Sequence, residues 1–406
     1  MKKPATILYI DNSFTFGGAI ISLRTTIDAL NKEKFRPVLI TAQSSSYLAM
    51  HFSDIHWFHL NMRLPRIHNR HHQKISESRF FRKRAFLKKM IDKIRSVFWM
   101  ICFILPEALR IYRIGRKQGT GLVHLNNALG GQLSGIIAAK LLGVPCVAHL
   151  RDYEQPCHSA RIHAGWVDHH IAISESVKNN LLALGVGPEK ISIVYDSVDL
   201  AAFSQKTNAN GLFRDLCVDG QQLLIGWFGR IIEWKGVREF VLCISELKQK
   251  FNDFQVIVVG DASDSATAYE QEVKALVQDL GLEKTIIFAG YRQEVIPIMN
   301  MMDIIVHTSI TPEPFGMVII EAMACSKPVV ASSVGGGPLE IVKPGETGFL
   351  ADPKKPREMS AALLALLTDR KLRNRFGNSG RKRVESLFAS PVHIQQIEEI
   401  YRKFLQ

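Results

Sequence analysis

Residues 304–331 read IIVHTSITPEPFGMVIIEAMACSKPVVA, a strand, a helix and a strand in succession. Residues 304–307 and 328–331 are short apolar runs of the kind that strands buried on both faces require, and 319–324 between them carry an apolar helical pattern. Parallel strands are joined through a long crossover, usually helical, and this spacing supplies one. Glu313 sits on the loop after the first run, and Phe315, Gly316 and Met317 open the helix.

The same rhythm continues in both directions. Upstream in the second half, strands are expected at 223–228, 255–259 and 285–288, with helices at 237–251 and 268–280; a further helix is expected at 358–367. The first half repeats the pattern with strands at 6–10, 37–41, 122–125, 144–149 and 170–173 and helices such as 19–30 and 131–142. Each half is therefore expected to be a doubly wound α/β unit, residues 1–200 and 221–388. The connecting stretch 201–220 loses periodicity and gathers Asn208, Asn210, Gly211 and Gly220. Residues 389–406 end in an amphipathic stretch with no strand to follow, expected to cap one domain or cross back to the first.

The 406 residues suffice for two or three domains, and 47% hydrophobic with 22% charged residues excludes wholesale disorder and fibrous classes. Six cysteines, Cys102, Cys146, Cys157, Cys217, Cys243 and Cys325, form no Cys-x-x-Cys pair, which suits a reducing, cytoplasmic compartment. The opening MKKPATILYIDNSF has an apolar stretch only from Ala5 to Ile10, too short for a secretory signal. The longest apolar run elsewhere, 97–105, has nine residues, about half of what a bilayer-spanning helix needs.

Positive charge is concentrated. Between Arg63 and Lys117 stand 16 Lys or Arg against Glu77, Asp92 and Glu107, a surplus of 13 that equals the net charge of the whole chain. Phe80, Phe81, Phe86, Leu87, Ile91, Ile94, Phe98, Trp99 and Ile101 recur among these cations at helical spacings, so 63–117 reads as a basic amphipathic insert. Such a helix lies on an anionic membrane surface or packs as a solvated face on its own domain. No nucleic-acid reader motif accompanies it, and no nucleic-acid partner is expected.

Open parallel sheets bind ligands at the carboxyl ends of their strands, so the chemistry is sought in those loops. The first strand runs into Asp11-Asn12-Ser13-Phe14-Thr15-Phe16-Gly17-Gly18, whose paired glycines at a helix start let an anion or sugar oxygen approach, or simply make a tight turn. The spacing is not that of a dinucleotide fingerprint. In the second half, strand 223–228 leads to Gly229-Arg230-Ile231-Ile232-Glu233-Trp234-Lys235-Gly236. Here a guanidinium and an ammonium on one short loop can neutralise a diphosphate, or stand as solvated surface charge. Glu321 lies between one and two turns into the helix opened by Phe315. Helix-start amides receive phosphate or sugar oxygens, and a carboxylate farther along accepts both hydroxyls of a ribose.

Glu313 and Glu321, eight positions apart around Pro314-Phe315-Gly316 and followed by Ala322-Met323-Ala324-Cys325-Ser326-Lys327-Pro328, resemble the E-x7-E signature of the retaining glycosyltransferase group-1 family, glycosyltransferase family 4. Gly17-Gly18, Ile173-Ser174-Glu175, Val198-Asp199, Gly229-Arg230, Lys235-Gly236 and Thr347-Gly348-Phe349-Leu350 extend the likeness over most of the chain, while Ser326 stands where a glycine is frequent. The resemblance implies the GT-B fold, two Rossmann-like doubly wound domains facing across a cleft, with a nucleotide-diphosphate sugar held mainly by the second domain and the acceptor by the first. Carried onto matching positions, Arg230 and Lys235 grip the diphosphate and Glu321 the ribose. Glu313 with the amides of Phe315, Gly316 and Met317 holds the donor sugar and phosphates, and Gly17 and Gly18 complete the donor-binding set. His149, ending a first-domain strand, resembles the histidine that family members aim at the donor sugar. His149, Glu313, Arg230 and Lys235 make the catalytic set.

The implied activity is retaining transfer of a sugar to a glycan or lipid-linked acceptor, in cell-envelope polysaccharide or lipopolysaccharide assembly at the inner face of the cytoplasmic membrane. The chain has no Asp-x-Asp, so metal-independent transfer is expected, with no cofactor beyond the sugar nucleotide. The paired histidines His71-His72 and His169-His170 lack a companion Cys or acid triad and are not expected to bind metal. The rival readings are another GT-B enzyme such as a sugar-nucleotide 2-epimerase, or a non-catalytic anion- or membrane-binding scaffold.

Overall fold

A computed structural model describes residues 3–13, 17–44, 48, 50–60, 94–95, 97–204, 211, 214–216, 218, 221–262 and 266–405. The chain divides into two compact units, the first comprising Met1–Ile173, Val177–Val194 and Gln396–Gln406, the second Ser174–Ser176 and Tyr195–Gln395.

The first unit is built on a parallel seven-stranded sheet. Its strands are β1 (Ala5–Asp11), β2 (Phe35–Thr41), β3 (His56–His59), β4 (Thr120–Asn126), β5 (Cys146–Leu150), β6 (His169–Ala172) and β7 (Ile191–Ile193), in the order β3-β2-β1-β4-β5-β6-β7. The connecting helices include α1 (Gly18–Ala29), α2 (Leu105–Gln118), α3 (Leu133–Leu142), α4 (His158–Trp166) and α5 (Glu175–Ala183). β1 shows why the sheet is central. Ile7, Leu8, Tyr9 and Ile10 are all fully buried, which only a strand covered on both faces can achieve.

The second unit has a parallel six-stranded sheet of β8 (Leu223–Phe228), β9 (Phe254–Val259), β10 (Ile286–Gly290), β11 (Ile304–Val306), β12 (Val329–Ser332) and β13 (Gly348–Ala351), ordered β10-β9-β8-β11-β12-β13. Its helices are α6 (Val237–Lys248), α7 (Thr267–Asp279), α8 (Ile296–Met301), α9 (Met317–Ala324), α10 (Pro338–Ile341), α11 (Pro356–Thr368) and α12 (Arg370–Leu387). Trp227, Phe240, Phe254 and Phe376 anchor a core of sheet and helix side chains. Full burial of an apolar side chain of this size stabilises by about 1.5–3 kcal/mol. Both sheets have the doubly wound order, with the direction of winding reversing between β1 and β4 and between β8 and β11.

The last helix, α13 (Ser390–Phe404), has its second half in the first unit. There the Tyr401 hydroxyl lies 3.0 Å from that of Tyr9 and 2.8 Å from His124 Nδ1, and the Asn31 amide donates to Glu398 Oε1 at 2.9 Å. His169 and His170 are neutral packing groups of β6. His169 Nε2 pairs with Ser192 Oγ at 2.9 Å and His170 Nε2 with the Ala164 carbonyl at 3.0 Å, and burial pushes both rings down to about 4.

Three strands escape sequence reading. β3, β7 and β13 are three or four residues long and incompletely buried; β3 and β7 interleave polar residues, and β13 (GFLA) is a short piece opened by a glycine, so none carries the mark of the inner strands. Most of the basic insert at 63–117, from 63 to 93, lies outside the described residues, as do Phe14, Thr15 and Phe16 and much of the connecting stretch 201–220. Among the described residues, no helix is long and apolar enough to cross a membrane.

Candidate active site

Ligands of open parallel sheets bind beyond the strand carboxyl ends where the winding reverses. In the second unit that point lies between β8 and β11, and the loops leaving those strands carry Lys235 and His307. After β8 the chain passes exposed Arg230 into a short turn, Glu233–Lys235, that stops at Gly236. Gly236 has φ +71, and a Cβ there would stand 2.0 Å from the Thr308 carbonyl, so only glycine lets the two loops close on each other. Thr308 ties them together, donating from Oγ1 to the Lys235 carbonyl and accepting from Trp227 Nε1, each at 2.9 Å.

This closure brings Lys235 Nζ within 2.6 Å of Glu313 Oε1, while the Trp234 ring lies 4.3 Å from the same ammonium. The other carboxylate oxygen, Oε2, is 2.6 Å from His307 Nε2 and accepts the Ser309 hydroxyl. His307 Nδ1 faces the Ser332 amide at 3.5 Å, an N–H donor, which assigns the imidazole proton to Nε2 and aims it at Glu313. Burial alone would push the Glu313 carboxyl up. The charge of Lys235, with the hydrogen bonds from Lys235 and His307, outweighs it and holds the group well below the usual carboxylate range. Glu313 is thus a fixed anion.

The backbone of this loop is braced by the glycine-rich turn after β12. Glu313 bridges to Gly336, whose φ is +83 and whose Cβ would collide with the Glu313 carbonyl at 1.9 Å. Gly337 N–H returns a bond to the Glu313 carbonyl at 2.9 Å. Phe315 is buried between the rings of Tyr195 and Phe388, which pins the start of α9 and directs Gly316 and Met317 to the helix amino terminus. One turn on, Glu321 is part-buried, and its carboxylate makes no hydrogen bond among the described residues. Burial pushes it up to about 7 against the attraction of Lys235. Arg230, Lys235, Glu313, Phe315, Gly316, Met317 and Glu321 therefore all belong to the second unit, and Lys235 is the hub that pairs with Glu313 and whose charge acts on Glu321. The arrangement offers cations, helix-start amides and a carboxyl of raised pKa, which is the equipment to bind a phosphorylated, hydroxyl-rich ligand.

His149, Gly17 and Gly18 belong to the first unit. His149 is fully buried near the end of β5, and its Nδ1 lies 3.4 Å from an Arg151 amino group, a permanent donor. Arg151 Nε donates to Asn126 Oδ1 at 2.8 Å, and Asn126 Nδ2 donates to Asp11 Oδ1 at 2.8 Å. This chain of buried polar groups spans the reversal point of the first sheet. Burial raises the Asp11 carboxyl, opposed by its hydrogen bonds from Asn126 and Ser13 and by the charge of Arg151. Gly17 is extended, and a Cβ on Gly17 or Gly18 would meet nothing within 4 Å, so packing demands glycine at neither position.

Sequence reading missed His307 and Ser309, which complete the Glu313 cluster, and Asp11, Asn126 and Arg151. The available signal was position: each is a polar residue at or just past the carboxyl end of an apolar strand.

Residues 16–202 match the family model described as Glycosyltransferase Family 4, and residues 212–383 match that described as Glycosyl transferases group 1. The chain belongs to this glycosyltransferase family. It has the GT-B fold of two Rossmann-like units. This family 4 glycosyltransferase is 28% identical over 242 residues to the capsular polysaccharide biosynthesis glycosyltransferase CapM of Staphylococcus aureus, a match spanning 58% of this chain and 62% of that protein. Its fold is similar to that of a glycosyltransferase from Rickettsia africae, with a TM-score of 0.82 at 22% identity and 100% of each chain covered. The Anabaena protein Alr3699/HepE, solved in complex with UDP and glucose, superposes with a TM-score of 0.78 at 24% identity over 98% of this chain and 99% of that one.

Proposed function

We propose that this glycosyltransferase moves a sugar from a nucleotide-diphosphate sugar to a glycan or lipid-linked acceptor, with retention of anomeric configuration and without a metal ion, in cell-envelope polysaccharide or lipopolysaccharide assembly. The observation that carries the reading is the Lys235–Glu313–His307 cluster at the reversal point of the second sheet, beside the amino terminus of α9. In this reading Lys235 and Arg230 neutralise the diphosphate and the negative charge that grows on it as the sugar departs. Glu321 accepts the ribose hydroxyls, and Glu313 with the amides of Phe315, Gly316 and Met317 holds the donor sugar.

The bond from the anomeric carbon to the phosphate oxygen breaks as the acceptor oxygen bonds to that carbon on the same face. The acceptor proton passes to the departing phosphate, which leaves as the nucleoside diphosphate. Gly17 and Gly18 give close backbone approach, and His149 is the first-unit histidine that serves the donor sugar. The absence of an Asp-x-Asp pair supports metal independence. HepE, with UDP and glucose bound, supports a uridine nucleotide as donor, and CapM, a capsular polysaccharide biosynthesis glycosyltransferase, supports a polysaccharide product.

The test is a turnover screen of sugar nucleotides with and without a membrane lipid extract, in the presence of a chelator, with mass spectrometry and anomeric NMR of the product. An α-linked glycolipid from an α-linked donor supports the proposal. Turnover that yields only an epimerised sugar nucleotide, inversion at the anomeric carbon, or loss of activity with the chelator contradicts it.

A further inference from the structure

We propose that the helical stretch 97–118 of the first unit docks on an anionic bilayer, its exposed apolar row entering the headgroup boundary and its arginines meeting the lipid phosphates. The inner side of α2 is settled: Ala108, Ile111 and Gly115 are buried, and a Cβ on Gly115 would press against Leu142 at 2.7 Å and Leu8 at 3.3 Å. Glu107 is likewise engaged, accepting the Ser134 hydroxyl at 2.5 Å.

Among the described residues, the outer side is not covered. Ile94, Val97, Phe98, Ile101, Leu105 and Leu109 are between 38% and 60% exposed, an apolar run that a soluble surface rarely leaves open. Val97, Ile101, Leu105 and Leu109 step by four residues. On an α-helix such steps drift by about 40° each and would wind the row away from one plane. Here Met100–Ile104 form a wider turn in which the Leu105 amide reaches back five residues to the Met100 carbonyl. That turn advances less per residue, so it offsets the drift and keeps the row facing one way.

Beyond Leu109 the exposed residues change character to Arg110, Arg113, Arg116 and Lys117. An apolar row continued by cations is the pattern of a helix lying in a membrane interface. The same charges argue against a second copy of the chain, since pairing these faces would bring arginines against arginines. The use of such docking, to meet a lipid-linked acceptor, rests on the function proposed above; the docking itself does not.

The test uses the full chain and sedimenting vesicles of phosphatidylcholine with or without phosphatidylglycerol, at low salt. Affinity for the anionic vesicles should exceed that for neutral ones by tenfold or more. It should fall tenfold or more in Phe98→Asp combined with Ile101→Asp, and fall with a loss of salt sensitivity in Arg113→Glu combined with Arg116→Glu. Fluorescence quenching by brominated lipid, lost in Trp99→Phe, places the helix at the acyl boundary. Donor hydrolysis in solution should be unchanged in all of these variants, so failure to dock and failure of the transferase reading separate. Equal binding to both vesicles, equal binding by wild type and variants, or a wild-type dimer that Phe98→Asp splits would overturn the proposal.

Discussion

The carboxyl edges of the two sheets occupy the same topological place and are built in opposite ways. In the first unit, Asp11, Asn126, Arg151 and His149 are buried and bond to one another across β1, β4 and β5. In the second, Lys235 and Glu313 bring opposite charges together beside His307, and Glu321 sits near them with a raised pKa and no hydrogen bond among the described residues. A polar network satisfied internally fixes the shape of an edge. A carboxyl raised above its ordinary range beside a cation, with no hydrogen bond to hold it, marks a place where a ligand completes the structure.

The sharpest way to break this contrast is to remove the hub. Lys235→Ala should lower donor turnover by about 10²–10³-fold, the loss that accompanies removal of one stabiliser of transition-state charge, with the circular dichroism of the fold retained. Asn126→Ala tests the other edge. It strips a partner from both Asp11 and Arg151 and should cost about 2 kcal/mol in urea unfolding. Donor affinity should stay within about threefold, because local shape rather than charge is lost. A large loss of donor binding without loss of stability would erase the distinction.

Glu321→Gln sharpens it. The folded value of about 7 lies above the ordinary 4.5, so the group favours folding while protonated, and that contribution is lost as pH rises from 4.5 through 7. At pH 8 the ionised carboxylate costs roughly 1–3 kcal/mol, scaled down for its partial exposure. Glutamine should therefore raise the thermal midpoint at pH 8, leave it unchanged at pH 4, and weaken donor binding. The smallest effect is expected at Ser326, which holds φ +56 where the family frequently has glycine. Ser326→Gly removes left-handed strain and adds freedom to the unfolded chain, for a net gain of about 0.5 kcal/mol in thermal unfolding.

The same contrast explains what could be read in advance. The inner strands of both sheets were legible because burial on two faces writes an unbroken apolar run, and β3, β7 and β13 were not because partly exposed edge strands need only a short or broken one. Glu313, Glu321, Arg230 and Lys235 were legible because they fall on two short loops and one helix, where spacing along the chain reports spacing in the fold. Asp11 and Asn126 end β1 and β4 and Arg151 follows β5, with 115 and 25 positions between successive members, so only the pairing of β1 with β4 and β4 with β5 brings them together. His307 was hidden differently. It ends an apolar run, and its value lies in the proton it directs at a glutamate six residues on.

Proton linkage gives the most direct measurement. The full chain is titrated by calorimetry at pH 7 with the sugar nucleotide that the turnover screen selects, in buffers of different ionisation enthalpy. If Glu321 accepts the ribose hydroxyls, binding favours its ionised form and should release about half a proton per donor bound. That release should vanish in Glu321→Gln, and affinity should drop in Lys235→Ala. Donor binding with no proton release, and with undiminished affinity in both variants, would contradict the account.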